Sequence, residues 1–190
     1  VVVLDIKREN YNLTAGFRKQ HGQAVYLFNP VASDFSTHRW NPFTYVNTDD
    51  QVFAINDIQK IANFLWPDPD NADPIWTASS RSLLLGVALY IIETPGLKLT
   101  MGECLRQATQ SEETAKFFQR QINERIEAGT PLTAACVRAL NDFITLSVNT
   151  RTGVRKTFTS RLELWFNPLV DAATSESDFD LRDLRKRRMS

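Results

Sequence analysis

No GxxxxGK[ST] phosphate-binding loop occurs anywhere in the 190 residues. The seven glycines, at 16, 22, 86, 96, 102, 129 and 153, never cluster. A chain without backbone amides and a lysine arranged around phosphate does not bind and hydrolyse ATP alone. The two histidines, His21 and His38, have no cysteine or clustered carboxylate beside them, so a metal site is not expected. No G-x-S-x-G elbow is present, which leaves no case for serine-nucleophile chemistry. The two cysteines, Cys104 and Cys136, sit among apolar residues and form no CxxC; they read as buried, reduced thiols of a reducing compartment. Net charge is absent too, with 22 basic and 22 acidic side chains, so no overall field draws the molecule to nucleic acid or membrane. The longest apolar run, Leu83–Ile92 with Gly86 inside it, falls short of the roughly 20 residues of a membrane span. The first residues lack the basic leader of a signal peptide.

What is present begins with Val1-Val2-Val3-Leu4, a β-branched run that reads as a strand buried on both faces. A short helix over 12–19, ended by His21-Gly22, and a second strand over Ala24–Phe28 complete a βαβ unit with parallel strands lying side by side. One such unit cannot cover both faces of a sheet, so it reads as the cut edge of a larger α/β domain. Asp5, Lys7 and Glu9 alternate, which on a strand would place them on one side. That arrangement suits either an ion-paired strand end or part of a nucleotide-side network.

From about residue 50 the period becomes helical. Val52, Ile55, Ile58, Ile61, Ala62 and Leu65 form an apolar stripe, stopped by Trp66-Pro67 and a stiff loop over 67–71. Asp73-Pro74 supplies an N-cap and a first-turn proline for a helix through Leu83–Ile92. That helix is apolar around most of its circumference, as suits the centre of a bundle. Thr100 and Glu103 form a capping box for a helix to Ala108. Ser111-Glu112-Glu113 opens another to Ala128, ended by Gly129. Thr130-Pro131 opens a helix through Val148, and a last long helix runs from about Thr150 to Phe166 before Asn167-Pro168. Residues 175–190 read as a polar, loop-like tail.

Basic side chains are unevenly placed: residues 96–190 hold 15 of the 22. Arg151, Arg155, Lys156 and Arg161 lie on the last helix, with Arg151 and Arg155 on one face. Arg182, Arg185, Lys186, Arg187 and Arg188 crowd the tail. Such clusters can neutralise phosphates, or mediate subunit contacts, or form a solvated surface.

VVVLDIKRENY (1–11), HGQAVYLFNP (21–30) and THRWNPFTYV (37–46) resemble the type IV secretion coupling ATPases, the conjugative coupling proteins. TRTGVRKTFTSRLELWFNPLVDAAT (150–174) and DFDLRDLRKRRMS (178–190) continue the resemblance, which spans nearly the whole chain. HRWNP and DFDLRDLRKR together are its most specific parts. Where Arg8 stands, the family pattern more often has glycine.

The resemblance implies a mainly α fold: an all-helical domain inserted into a RecA-like α/β ATPase domain, of which the chain carries a small βαβ stub. Residues 1–45 would be a flank of the nucleotide-binding domain, 46–165 the helical substrate-recognition domain, and 166–190 the return flank. The missing phosphate loop leaves the fragment itself expected not to be an enzyme, with no catalytic, cofactor or metal residues of its own, while the resemblance implies that the full-length parent binds ATP and Mg. Implied partners are secretion signals of effector proteins, or relaxase and adaptor complexes. Other secretion-system ATPases and DNA are also possible partners of the parent. The parent would be hexameric and anchored at the cytoplasmic face of the bacterial inner membrane, with this fragment soluble. An alternative function is a nucleic-acid-contacting or hexamer-assembly segment of a DNA-translocating ATPase. Docking candidates follow from placing the ATPase flanks at one pole: the far loop then carries Asp68, Asp70 and Asp73 between Trp66 and Trp76. A rigid acidic loop bordered by aromatics suits a basic or amphipathic signal; the other reading is a polar connector over two core tryptophans.

Overall fold

The computed structural model describes residues 1–70, 73–110 and 113–190. The chain divides into two compact units, one of residues 45–167 and one built from both chain ends, 1–44 and 168–190.

The larger unit holds six α-helices among the described residues: α2 (Gln51–Leu65), α3 (Ile75–Ile92), α4 (Met101–Ala108), α5 (Thr114–Glu127), α6 (Ala134–Ile144) and α7 (Val148–Leu162). Helix α3 is the centre and packs on α2, α4, α6 and α7. By length and composition alone α3 could cross a membrane; here Leu83, Leu84, Val87, Ala88, Leu89 and Ile91 are buried inside the bundle. Gly86 explains how α6 comes so close. A Cβ there would lie 2.9 Å from the Leu140 backbone nitrogen, and the Cys136 thiol reaches the Gly86 carbonyl at 3.6 Å.

Helix α2 starts at Asp50, whose carboxylate accepts from the amides of Val52 and Phe53. Its buried line is Ala54, Ile58 and Ala62, continued by Trp66. Those residues are four apart, so they stack on one face. The predicted stripe therefore holds at Ile58 and Ala62, while Val52 points outward, 66% exposed.

Elsewhere the caps decide the boundaries. Thr100 accepts from Glu103 N at 3.0 Å, but the Glu103 carboxylate turns forward to Arg106 and Gln107, so one arm of the expected box is formed. The expected helix from Thr130 through Val148 is interrupted: Thr133 caps α6, Ser147 caps α7, and 145–147 turn between them. Arg151 fixes that turn, donating to Ile144 O at 2.8 Å and Leu146 O at 3.1 Å. Helix α7 ends at Leu162 in a 3-10 turn, Glu163–Phe166, and Asn167-Pro168 leads into a further short helix, α8 (Pro168–Ala173). The opening of α5 at Ser111-Glu112 lies outside the described residues, as does Asn71 in the expected stiff loop.

The smaller unit corrects the βαβ expectation. No strand occurs among the described residues; what remains is a single parallel bridge between Ala24 and Met189. A strand exists only where its amides and carbonyls find a neighbouring backbone. Val1–Leu4 are exposed, from 54 to 89%, and of them the Val1 amino group donates to Met189 O at 2.9 Å. Ala24 and Tyr26 donate to Arg188 O and Ser190 O, and Ser190 N donates back to Ala24 O. The partner expected of Val1–Leu4 is thus supplied by the C-terminal tail. The rest of that tail includes a 3-10 helix, Leu181–Arg185, capped by Asp180.

Between the expected strands, α1 (Glu9–Gln20) begins three residues earlier than the apolar pattern suggests. Residues 6–8 turn, so Asp5, Lys7 and Glu9 do not share a strand face. The Asp5 carboxylate instead accepts from Tyr11 N at 2.8 Å. Arg8 enters α1 with φ 62°, a left-handed conformation that glycine adopts freely and other residues adopt at a cost.

Candidate functional site

The corner between α2 and α3 carries every docking residue named from the sequence, and the structure separates their roles. Trp66 is a core residue, 1% exposed. Its indole stacks on Phe158 with ring centres 5.2 Å apart, and its Nε1 donates to Thr157 O at 3.1 Å. Asp73 caps α3, accepting from Ile75 N at 3.0 Å. Trp76 is 38% exposed, and its ring rests on α7 at Gly153, where any Cβ would collide with it. Asp68 and Asp70 face solvent.

Arg81, absent from the sequence-derived set, organises the corner. Its Nη2 pairs with Asp68 at 2.7 Å, and its Nη1 donates to Trp66 O at 2.8 Å. The signal was a lone cation on an otherwise uncharged helix, two residues before the longest apolar run. Trp66 thus braces the corner from within, while Asp68, Asp70 and part of the Trp76 ring are presented outward.

The basic residues are partly committed. Arg151 pairs with Glu113 at 2.8 Å besides bonding the end of α6. In the tail, Arg182 pairs with Asp180, and Arg187 with Asp183. Each such pair reduces the positive field that phosphate would meet.

In the smaller unit the two most specific sequence segments meet. Arg39 of HRWNP forms a forked pair with Asp178 of DFDLRDLRKR, with Nη2 to Oδ1 at 2.8 Å and Nε to Oδ1 at 3.2 Å. Backbone groups take part as well: Arg39 N donates to the Asp178 carboxylate at Oδ2 at 2.7 Å, and Asp178 N donates to Arg39 O at 3.0 Å. Glu176 adds a second carboxylate at 2.6 Å. The hydrogen bonds from Arg39 lower the Asp178 pKa, and Asp178 raises that of Arg39. Trp40 N to Ala173 O, at 2.9 Å, extends the clasp.

The cysteines offer no reactive group. Both thiols are buried, and desolvation pushes their pKa far up.

A continuous helical bundle, together with a second unit supplied by both chain ends, is the class of protein these features define. The whole chain, residues 1–190, matches the family described as type IV secretory system conjugative DNA transfer, and it belongs to that family. It is 29% identical, over 99% of its length, to Protein VirD4 of Rhizobium radiobacter and to Protein VirD4 of Agrobacterium fabrum. To the conjugal transfer protein TraG of Escherichia coli it is 26% identical over 96% of its length. The chain spans 26%, 27% and 29% of the lengths of those three relatives.

Proposed function

We propose that the helical unit, residues 45–167, is the substrate-recognition domain of a coupling ATPase. On this reading it binds secretion signals of effector proteins, or relaxase and adaptor complexes, for delivery to a secretion channel at the cytoplasmic face of the inner membrane. ATP and Mg would be handled by parts of the protein beyond residues 1–190, because no phosphate loop occurs within them.

The observation that carries the reading is a helical unit with its own core, within a conjugative DNA transfer protein, whose α2–α3 corner turns acidic and aromatic side chains outward. Arg81 pairs with Asp68, and Trp66 anchors the end of α2 in the core. Its exposed groups, Asp68, Asp70 and Trp76, suit a basic or amphipathic signal.

Titration of the purified chain with a cognate cargo's C-terminal signal domain, followed by calorimetry, tests the function. Saturable binding supports it; no heat at any attainable concentration overturns it. Lysine at both Asp68 and Asp70, with folding checked by circular dichroism, tests the corner: affinity unchanged within about twofold removes it from the binding surface.

A further inference from the structure

Helices α2 and α6 both lie on α3, and between them an open trough of about 610 Å³ runs along the α3 surface. Its apolar lining sets Ala62, Ala78, Ala135 and Ala139 beside Ile55 and Leu85, so over the alanines a second backbone can approach closely. Its rim is polar: Gln59 and Asn63 on α2, Arg138 and Asp142 on α6.

Arg138 and Asp142 stand four apart on α6, a spacing at which opposite charges commonly pair. They do not pair here. Asp142 accepts from Ser82 Oγ at 2.8 Å, and Arg138 has no hydrogen-bonding or ionic partner among the described residues. Both are exposed, so the rim presents one cation and, a turn away, one anion. An apolar centre inside a polar rim is the anatomy of a protein interface.

The trough also joins the corner described above. Arg81 lines it and holds Asp68. The Ser82–Asp142 bond and the Trp66–Arg81 bond put Asp142 toward the same end of α3 as that corner. The anion Asp142 therefore stands toward the corner end of the trough, and the cation Arg138 sits one turn of α6 further along.

We propose that this trough receives an amphipathic α-helix of the cargo signal. The helix lays its small apolar face on the alanine floor, sets a carboxylate against Arg138, and points Lys or Arg, one turn on, at Asp142 and the acidic corner. This rests on the substrate-recognition reading above and names the partner's chemistry and its seat.

The test uses the full chain and a fluorescein-labelled peptide covering the C-terminal signal of the cognate relaxase, read by anisotropy. Arg138→Glu should weaken binding about fivefold or more, and a peptide whose facing carboxylate is changed to Lys should recover it. Ala78→Trp fills the trough from an exposed position and should abolish binding; circular dichroism confirms that both variants fold. Wild-type binding unchanged by both substitutions overturns the trough and leaves the substrate-recognition reading standing. Absence of wild-type binding to both the peptide and the intact relaxase overturns the two together. Concentration-dependent sedimentation lost in the same variants would make the occupant a second copy of the chain, and would also overturn the proposal.

Discussion

Glycines within helices show how one residue type takes opposite roles. In α1, a methyl group added at Gly16 would meet nothing within 4 Å, so Gly16→Ala should stabilise by about 0.5–1 kcal/mol through helix propensity. In α3, the same change at Gly86 forces a Cβ to 2.9 Å from both the Leu140 amide nitrogen and its Cδ2. Overpacking of that kind costs about 1–3 kcal/mol and exceeds the propensity gain. Urea unfolding of the two variants should therefore move in opposite directions. Equal shifts of one sign would contradict the close α3–α6 approach. The cysteines make a second prediction at this scale. Buried thiols with raised pKa are inert, so an aromatic disulfide reagent at pH 8 should label Cys104 and Cys136 only after denaturant is added. Stoichiometric labelling of the native chain would show that one of them is reachable.

At the scale of elements, the arginines act as joints. Arg151 closes the α6–α7 turn through two carbonyls and Glu113. Arg151→Met keeps much of the apolar stem and removes the bonds. It should cost about 1–3 kcal/mol, because partly buried carbonyls lose a charged donor; a loss below a few tenths in denaturant titration would reduce the turn to a sequence-local effect. The Arg39–Asp178 clasp makes a pH prediction. The folded pKa of Asp178 is depressed below 3.8 by Arg39. Its contribution is therefore complete above the unfolded carboxylate range and is lost as pH falls through the lowered folded value. Thermal unfolding of the wild type and of Asp178→Asn should differ at pH 7 and converge toward pH 2. A gap that widens on acidification would reverse the assigned sign.

For the molecule as a whole, the two units differ in how their chain is supplied. Residues 45–167 are continuous, with a core of α3 and its neighbours, whereas the other unit needs 1–44 and 168–190 together. Residues 45–167 produced alone should keep a helical circular dichroism spectrum and a cooperative thermal transition. Removal of 188–190 should leave that transition in place and loosen residues 24–26, visible as faster amide exchange at Ala24 and Tyr26. A non-cooperative helical unit would show that its core depends on the flanks.

Much of this was legible in the sequence because it rests on local physics. Helical period, the caps at Thr100 and Asp73, the stop at Gly129 and the apolar centre at Leu83–Ile92 all involve residues within a turn or two of each other. The mainly α class and the coupling-protein family followed from them and from the motif segments. Tertiary structure decided what depends on distant partners. The strands expected at Val1–Leu4 and Ala24–Phe28 are absent, because a strand is made by its neighbour and the neighbour of Ala24 is Met189. Trp66 reads from the sequence as either a loop border or a core residue, and Phe158, far along the chain and stacked on it, places it in the core. Arg81 and the Arg39–Asp178 clasp escaped the sequence reading for the same reason: a charge reveals its role only when the fold brings its partner within hydrogen-bonding distance.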